Sequence, residues 1–426
     1  MEKKVVITGL GVVSPIGSGV KFFQEALKKG KSGIRYFPEL EKIHLGCCVG
    51  GKPEIESHPL FCMLDKYNLT DNILAIKYAV LAALEAWLDA GLNIPESDSE
   101  YVNKDTGCII SSVAGNIEII TDRIYPLVSS GDARRLGSKA MEQIQFHSPS
   151  AFLAGILALG NQTTSNSCAC ASSSESIIAG YERIKSGKAK RMLVGGTEGY
   201  SPYLWAVVDS ARLTTRMFND MPEKASRPMS ASASGFVPGA GAGIMLLEDF
   251  EEAVKRNAKI YCEVAGGSVN NGGHRNGGSM TAPSPIGMER CILDALANSS
   301  TDKNEIDLIS GHLTSTMADV IELICWSKTL GRRKEEFPYL NSLKSLAGHC
   351  MGAAGALETI AAALEIQEQF IYPNLNCEDL HPFIEKIISK VKAPDKVLEN
   401  VMINNVIKAN FGTGDVNACL ILKKTP

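Results

Sequence analysis

The sequence predicts a layered α/β fold built from two similar halves. Three observations carry this expectation. Apolar, strand-like runs alternate with helix-length periodic segments across short connections. One of those helical segments is apolar on nearly every face, which places it between layers. The chain also opens and closes twice in the same way. Val5–Asp249 starts on a strand and ends on the strand Gly243–Glu248, and Ile260–Leu422 repeats the pattern. The expected halves are residues 1–250 and 251–426.

In order, strands are expected at Val5–Ser14, Gly107–Ser112, Met192–Gly196, Gly243–Glu248, Ile260–Ala265, Leu308–Gly311, Val401–Asn410 and Val416–Leu422. Helices are expected at Asp71–Ala90, Ser172–Ser186, Ile286–Asn298, Met317–Leu330 and Ala353–Glu368. Val5–Ser14 follows a basic start and could open a signal peptide. Gly9, Gly11 and Pro15 interrupt it, so it reads as a buried strand. Asp71–Ala90 follows Thr70, a candidate N-cap. Phe250–Asn257 reads as a short charged surface helix between the halves. GLGVVSPIG lacks the third glycine of a dinucleotide fingerprint and enters no clear helix.

Composition narrows the function. The 426 residues are 45% hydrophobic and 21% charged, with a formal charge of −4. That balance gives no reason to expect a nucleic-acid partner. No apolar run reaches the roughly 20 residues of a membrane helix, so no membrane partner is expected. The 12 cysteines include no CxxC pair, which argues against structural zinc. Many free thiols suit a reducing compartment, and a cytoplasmic location is expected.

The segment TTSNSCACASSSESIIAGYERIKSG carries the nucleophile candidate. Small and polar residues from Thr163 to Ser174 give way to a helical stretch. Cys170 is expected at the turn into that helix, where free N–H groups would lower its pKa by about one unit or more. The same amides could hold the oxyanion of a thioester under attack. A buried structural thiol would give the same local pattern, and Cys168 competes as nucleophile. His312 and His349 each lie between a strand-like stretch and a helix, where ligands bind in α/β proteins. Lys344 precedes His349 by five residues. Convergence of Cys170 with the two histidines is not legible in the sequence. In ANFGTGDVNA, Gly412 and Gly414 allow a tight turn, read first as a plain hairpin loop.

These segments resemble the β-ketoacyl-acyl-carrier-protein synthases of elongating type, in the thiolase superfamily. VVITGLGVVSPIG, GKSGI, CACAS around Cys170, SRPMSASASGFVPGAGAG, MTAPSP, GHLTST, KSLAGHCMGAAG and NFGTGDVNA follow one another in family order over essentially the whole chain. The resemblance implies a thiolase-like five-layer αβαβα body. It implies a homodimer, or a heterodimer with a related synthase, and an acyl carrier protein as partner. It implies no cofactor or metal on this chain; the carrier's phosphopantetheine arm brings the substrate. The implied reaction is a decarboxylating condensation of an acyl thioester with malonyl-carrier protein. Cys170 would take the acyl chain, and His312 and His349 would donate hydrogen bonds to the malonyl thioester carbonyl. Lys344 would tune His349 and pair with Glu358. Thr314 and Thr316 would bind the pantetheine arm, and the backbone N–H groups of Cys170 and Thr413 would form the oxyanion hole.

The sequence departs from the family at several places. Thr413 stands where a gating phenylalanine is usual, while Phe411 is kept. After Arg227-Pro228, Ser230, Ala231, Ala233 and Ala240 stand where the family usually has charged residues, so a simplified buried charge network is expected. Basic carrier-docking residues are missing near Cys62 and Met63, leaving Lys66 and Arg216 as contacts. A specialised chain, polyene or polyketide-like, is therefore expected beside ordinary fatty acid synthesis. The alternative is a non-catalytic, chain-length-determining partner of another ketosynthase, although such partners usually lack the cysteine. A degradative thiolase would use a second cysteine as base; Cys350 is read as a spacer.

Overall fold

A computed structural model describes residues 3–96 and 100–425. Met1 and Pro426, the outer ends of the two expected halves, lie outside them. The principal elements are β1 (Val5–Ser14), α1 (Leu74–Asp89), β2 (Thr106–Ser111), α2 (Ser148–Ile156), β3 (Thr163–Thr164), α3 (Ser172–Lys185), β4 (Arg191–Glu198) and β5 (Gly241–Asp249). They continue with β6 (Cys262–Asn271), α4 (Pro285–Asn298), β7 (Leu308–Ser310), α5 (Ala318–Leu330), β8 (Tyr339–Asn341), α6 (Ala354–Glu368), β9 (Asn405–Gly412) and β10 (Val416–Lys423).

The first half forms a sheet in the order β1-β5-β4-β2-β3, and the second in the order β6-β10-β9-β7-β8. Directions match as well. β1/β5 and β5/β4 are antiparallel, β4/β2 and β2/β3 parallel. β6/β10 and β10/β9 are antiparallel, β9/β7 and β7/β8 parallel. The same strand order with the same directions is a topological repeat of one unit, whatever the residue-level similarity. The two sheets meet edge to edge where Val5, Val6 and Ile7 of β1 pair with Val264, Glu263 and Cys262 of β6.

Equivalent helices follow equivalent strands. α1 and α2 pack on the first sheet, α4 packs on β6 and β10 of the second, and α5 lies beside α4, its Leu323 and Trp326 sharing a core with Ile309 and Ile407. α3 and α6 contact strands of both sheets and each other, giving the five-layer order. Ile177, Ile178 and Ile184 of α3 share a core with Leu357 and Ile360 of α6 and with Val194 and Leu247 from the sheet. Gly9 and Gly11 let α1 lie directly on β1, because a methyl at either would overlap the carbonyl oxygens of Ala86 or Ala82. The glycines that interrupt the apolar start are therefore a packing requirement.

The expected element boundaries shift in physically readable ways. α1 starts at Leu74, and Thr70 is not its cap. The Thr70 hydroxyl donates to Asp65, while the N–H groups of Ile73 and Leu74 are taken by Gln143 (2.8 Å) and Glu118 (2.8 Å). Tertiary capping replaced the local signal. β9 begins at Asn405, later than the expected Val401, and extends to Gly412. The short β3 and β8 were not expected as strands. Among the described residues no helix is long and apolar enough to cross a membrane.

Candidate active site

The N-termini of α3 and α6 meet near the centre of the molecule, one from each half. Small residues permit this. Gly355 leaves room for Ser174 Oγ, and Ser173 Oγ accepts the Ala356 N–H at 2.9 Å. Cys170 lies two residues before α3, after Ala169, whose φ of 51° is left-handed. That backbone costs an L-residue about 1–2 kcal/mol and turns the thiol out of the helix line. On the other half, His312 follows β7, and His349 lies between a short helix after β8 and α6.

The structure brings the three together. Sγ of Cys170 and Nε2 of His349 are 3.1 Å apart, and the three candidate donor atoms of Cys170, His312 and His349 lie within 4.8 Å of one another. The imidazole rings are nearly perpendicular, with centroids 5.4 Å apart. All three line a cavity of about 400 Å³ with Leu213, Phe236, Met288, Ile321, Phe411 and Thr413. Thr314 and Thr316 line it too, their hydroxyl oxygens 3.0 Å apart. Such a mostly apolar pocket with a few convergent polar groups is the usual form of a ligand site.

Hydrogen bonding fixes the His349 tautomer. The Met351 N–H donates to Nδ1 at 3.1 Å, so the neutral ring carries its proton on Nε2, facing Cys170. Burial, reinforced by Lys344, lowers the His349 pKa to about 3, and His312 is held well below its ordinary value chiefly by burial. Both imidazoles are therefore neutral at physiological pH and can act as donors.

The cysteine corrects one expectation. Burial pushes the Cys170 thiol up to about 11, although Lys344 and the backbone N–H of Thr413 pull it down. Desolvation of the thiolate outweighs the free amides at the helix entrance. Those of Thr413 and Cys170 itself do face the sulfur. Cys168 is a poorer nucleophile candidate, since its thiol donates to Glu175 and burial raises it further. Cys350 is buried, with its sulfur on the Ala240 carbonyl oxygen (3.4 Å).

Lys344 is buried and paired with Glu358, as expected. Several supporting residues were not. Lys408 Nζ lies 2.7 Å from the other Glu358 oxygen, and Asn410 Nδ2 donates to that oxygen at 2.9 Å. Burial opposes the Glu358 charge, but the two lysines hold it at about 2, while burial lowers Lys408 to about 8. A lysine and an asparagine inside the apolar strand VIKANFG were the available signal. Glu322 accepts the N–H groups of His312 and Leu313, each at 2.8 Å, and Asp319 accepts those of Thr314 (2.7 Å), Ser315 (3.1 Å) and Met229 (2.8 Å). Two acids three and six residues after GHLTST marked this loop anchor. Glu198 similarly holds Val113, Ala114 and Gly352.

The tail glycines do form a hairpin turn between β9 and β10, and that turn is also a wall of the cavity. Buried Asp415 ties it to the chain before α4 by accepting the N–H groups of His274 and Ser284. Arg227, beside the segment where charged residues are replaced, keeps acidic partners. Its guanidinium meets Asp379 (3.2 Å) and Glu378 (3.5 Å), and Ser230 joins Asp379, so acids from a distant segment supply the partners.

A duplicated five-layer body with a thiol and two neutral imidazoles on one mostly apolar cavity defines a thiolase-like protein. Comparison with known proteins narrows the class. The Beta-ketoacyl synthase N-terminal domain matches residues 2–253 and the C-terminal domain residues 261–378. The chain therefore belongs to the β-ketoacyl synthase family. It is 32% identical to 3-oxoacyl-[acyl-carrier-protein] synthase 1 of Haemophilus influenzae, with 99% of each chain covered. It is 31% identical to the Escherichia coli K12 enzyme of the same name, again over 99% of both. Among solved structures, a Burkholderia phymatum β-ketoacyl synthase superposes with a TM-score of 0.87 at 29% identity, with full coverage of both chains. A type II polyketide ketosynthase, solved in complex with its acyl-carrier protein and bound to a hexaketide, superposes at 0.88 and 25% identity, also with full coverage.

Proposed function

We propose that this chain catalyses the decarboxylating condensation of an acyl thioester with malonyl-acyl-carrier protein. The observation that carries it is the convergence of Cys170 with the imidazoles of His312 and His349 on one cavity. Cys170 attacks the acyl thioester, and the backbone N–H groups of Cys170 and Thr413 hold the oxyanion. The carrier sulfur leaves with the proton that the Cys170 thiol gives up, and the acyl group remains on the Cys170 sulfur. Malonyl thioester then enters along Thr314 and Thr316, which hydrogen-bond the phosphopantetheine arm. His312 and His349 donate to its carbonyl oxygen as CO₂ departs and the enolate forms. Each such donor is worth about 2–4 kcal/mol of transition-state stabilisation. The enolate carbon attacks the acyl-cysteine, releasing sulfur and the β-ketoacyl product. Lys344 tunes His349 through its charge, and Glu358 holds Lys344.

The chain divides at about residue 250 into a half that carries the cysteine and a half that carries the histidines. It works in the cytoplasm with an acyl carrier protein, as a homodimer or beside a related synthase. Thr413 at the gate position favours a specialised acyl chain. A non-catalytic partner role is disfavoured by the three reactive groups sharing one cavity. Intact-mass measurement after incubation with acyl-carrier substrates tests the first step. Wild type gains the acyl mass and Cys170→Ala does not; acylation of both, or of neither, sinks the reading.

A further inference from the structure

Glu358 carries two buried lysines, and the second, Lys408, lies on the strand that also bears Asn410. The Lys408 ammonium has three N–H groups, and all are used. They reach Glu358 (2.7 Å), the Ala409 carbonyl (2.9 Å) and the Asn410 side-chain carbonyl. Ser174 Oγ donates to the same Asn410 oxygen at 2.6 Å. With its carbonyl held by two donors, the Asn410 amide must turn its NH₂ the other way. There it meets Glu358 Oε2 at 2.9 Å and Nδ1 of His312 at 3.2 Å. A flipped amide would set NH₂ against an ammonium and a carbonyl oxygen against a carboxylate, which is repulsive at both ends.

We propose that Lys408 and Asn410 are positioning residues for His312: Lys408 fixes the Asn410 amide, and that amide fixes the His312 proton on Nε2, facing the cavity. This rests on the role proposed above for His312. With the proton on Nδ1 instead, Nε2 would present a lone pair to the enolate oxygen. Met351 does the equivalent for His349 with a backbone N–H, so the two imidazoles are oriented by unlike devices. Acyl transfer to Cys170 does not involve His312, whereas release of CO₂ from the malonyl group does. The two half-reactions therefore separate a positioning effect from general damage.

The experiment uses the full chain. Asn410→Asp is nearly isosteric and substitutes an acceptor for the donor at Nδ1. CO₂ release from malonyl-carrier protein is expected to fall about 100-fold, the usual loss for one misplaced donor, with acyl transfer to Cys170 changed by less than about threefold. Lys408→Met is expected to give a smaller loss of the same kind, since Asn410 can then rotate. Nitrogen-15 spectra of the histidines in folded wild type at pH 7 should show His312 protonated on Nε2, and on Nδ1 in Asn410→Asp. Equal losses in both half-reactions, no loss in either, or a wild-type His312 protonated on Nδ1 would overturn the proposal. A wild type that takes the acyl group but releases no CO₂ overturns the condensation reading, and the tautomer measurement then still decides the positioning.

Discussion

Cys170 shows how two local effects compete at one atom. The helix entrance and Lys344 favour the thiolate, and burial opposes it more strongly, leaving the thiol near 11. At pH 7 only about one molecule in ten thousand would carry the thiolate. Alkylation of Cys170 by iodoacetamide is therefore expected to rise about tenfold per pH unit from 7 to 9 without a plateau. Lys344→Met should move the whole profile to higher pH, because Lys344 lowers the thiol's pKa. Site-resolved mass spectrometry checks both, and a plateau below pH 8 would contradict the first. Thr413 belongs to the same scale. It is half-buried on the cavity wall beside the sulfur. Thr413→Phe should narrow the range of acyl chains accepted, measured as relative acylation rates with saturated and unsaturated carriers; an unchanged ratio would remove Thr413 from selectivity.

Elements matter here through their ends. α5 contributes Asp319 from its first turn and Glu322 from its second, and these acids hold the backbone that carries His312, Thr314 and Ser315. Burial raises Asp319 to about 6 and Glu322 to about 7, with the accepted N–H groups opposing the rise. Asp319→Ala strands three buried N–H groups and should cost about 3 kcal/mol or more by denaturant titration. The entrances of α3 and α6 are set by contact rather than by charge. A methyl at Gly355 would overlap Ser174 Oγ. Gly355→Ala is expected to destabilise by about 1–3 kcal/mol, and Ser174→Gly in the same chain should recover part of that loss. Additive losses in the double variant would show that the two helices do not meet there.

For the whole molecule, the buried ionisable centre predicts acid sensitivity. His349 has an ordinary pKa of 6.5 and a folded value of about 3. Above pH 6.5 it is neutral folded or unfolded and contributes nothing to the pH dependence. Below 6.5 the unfolded chain takes a proton that the folded chain refuses, so stability falls by up to about 1.4 kcal/mol per pH unit toward pH 3. His312, held well below its ordinary value, acts in the same direction. Glu358, at about 2, stabilises fully above pH 4.5 and loses that contribution as pH drops toward 2. Asp319 and Glu322, raised to about 6 and about 7, act in the opposite sense over this range, so the histidine contribution is read as a difference: from pH 6.5 to 4 the urea midpoint of wild type should fall relative to that of His349→Gln. Equal slopes in the two proteins would place the acid sensitivity elsewhere.

Periodicity determined the duplicated α/β plan, because buried strands and helices must each present an apolar face. Motif order singled out Cys170, His312, His349 and Lys344. Strand order decided the rest. Two histidines far from Cys170 in the chain reach it only because equivalent helix ends of the two halves meet at the centre. The Lys408–Glu358–Asn410 network and the acids partnering Arg227 also join segments distant in sequence. The height of the Cys170 pKa was equally out of reach, because desolvation depends on what packs around the sulfur and not on its neighbours along the chain.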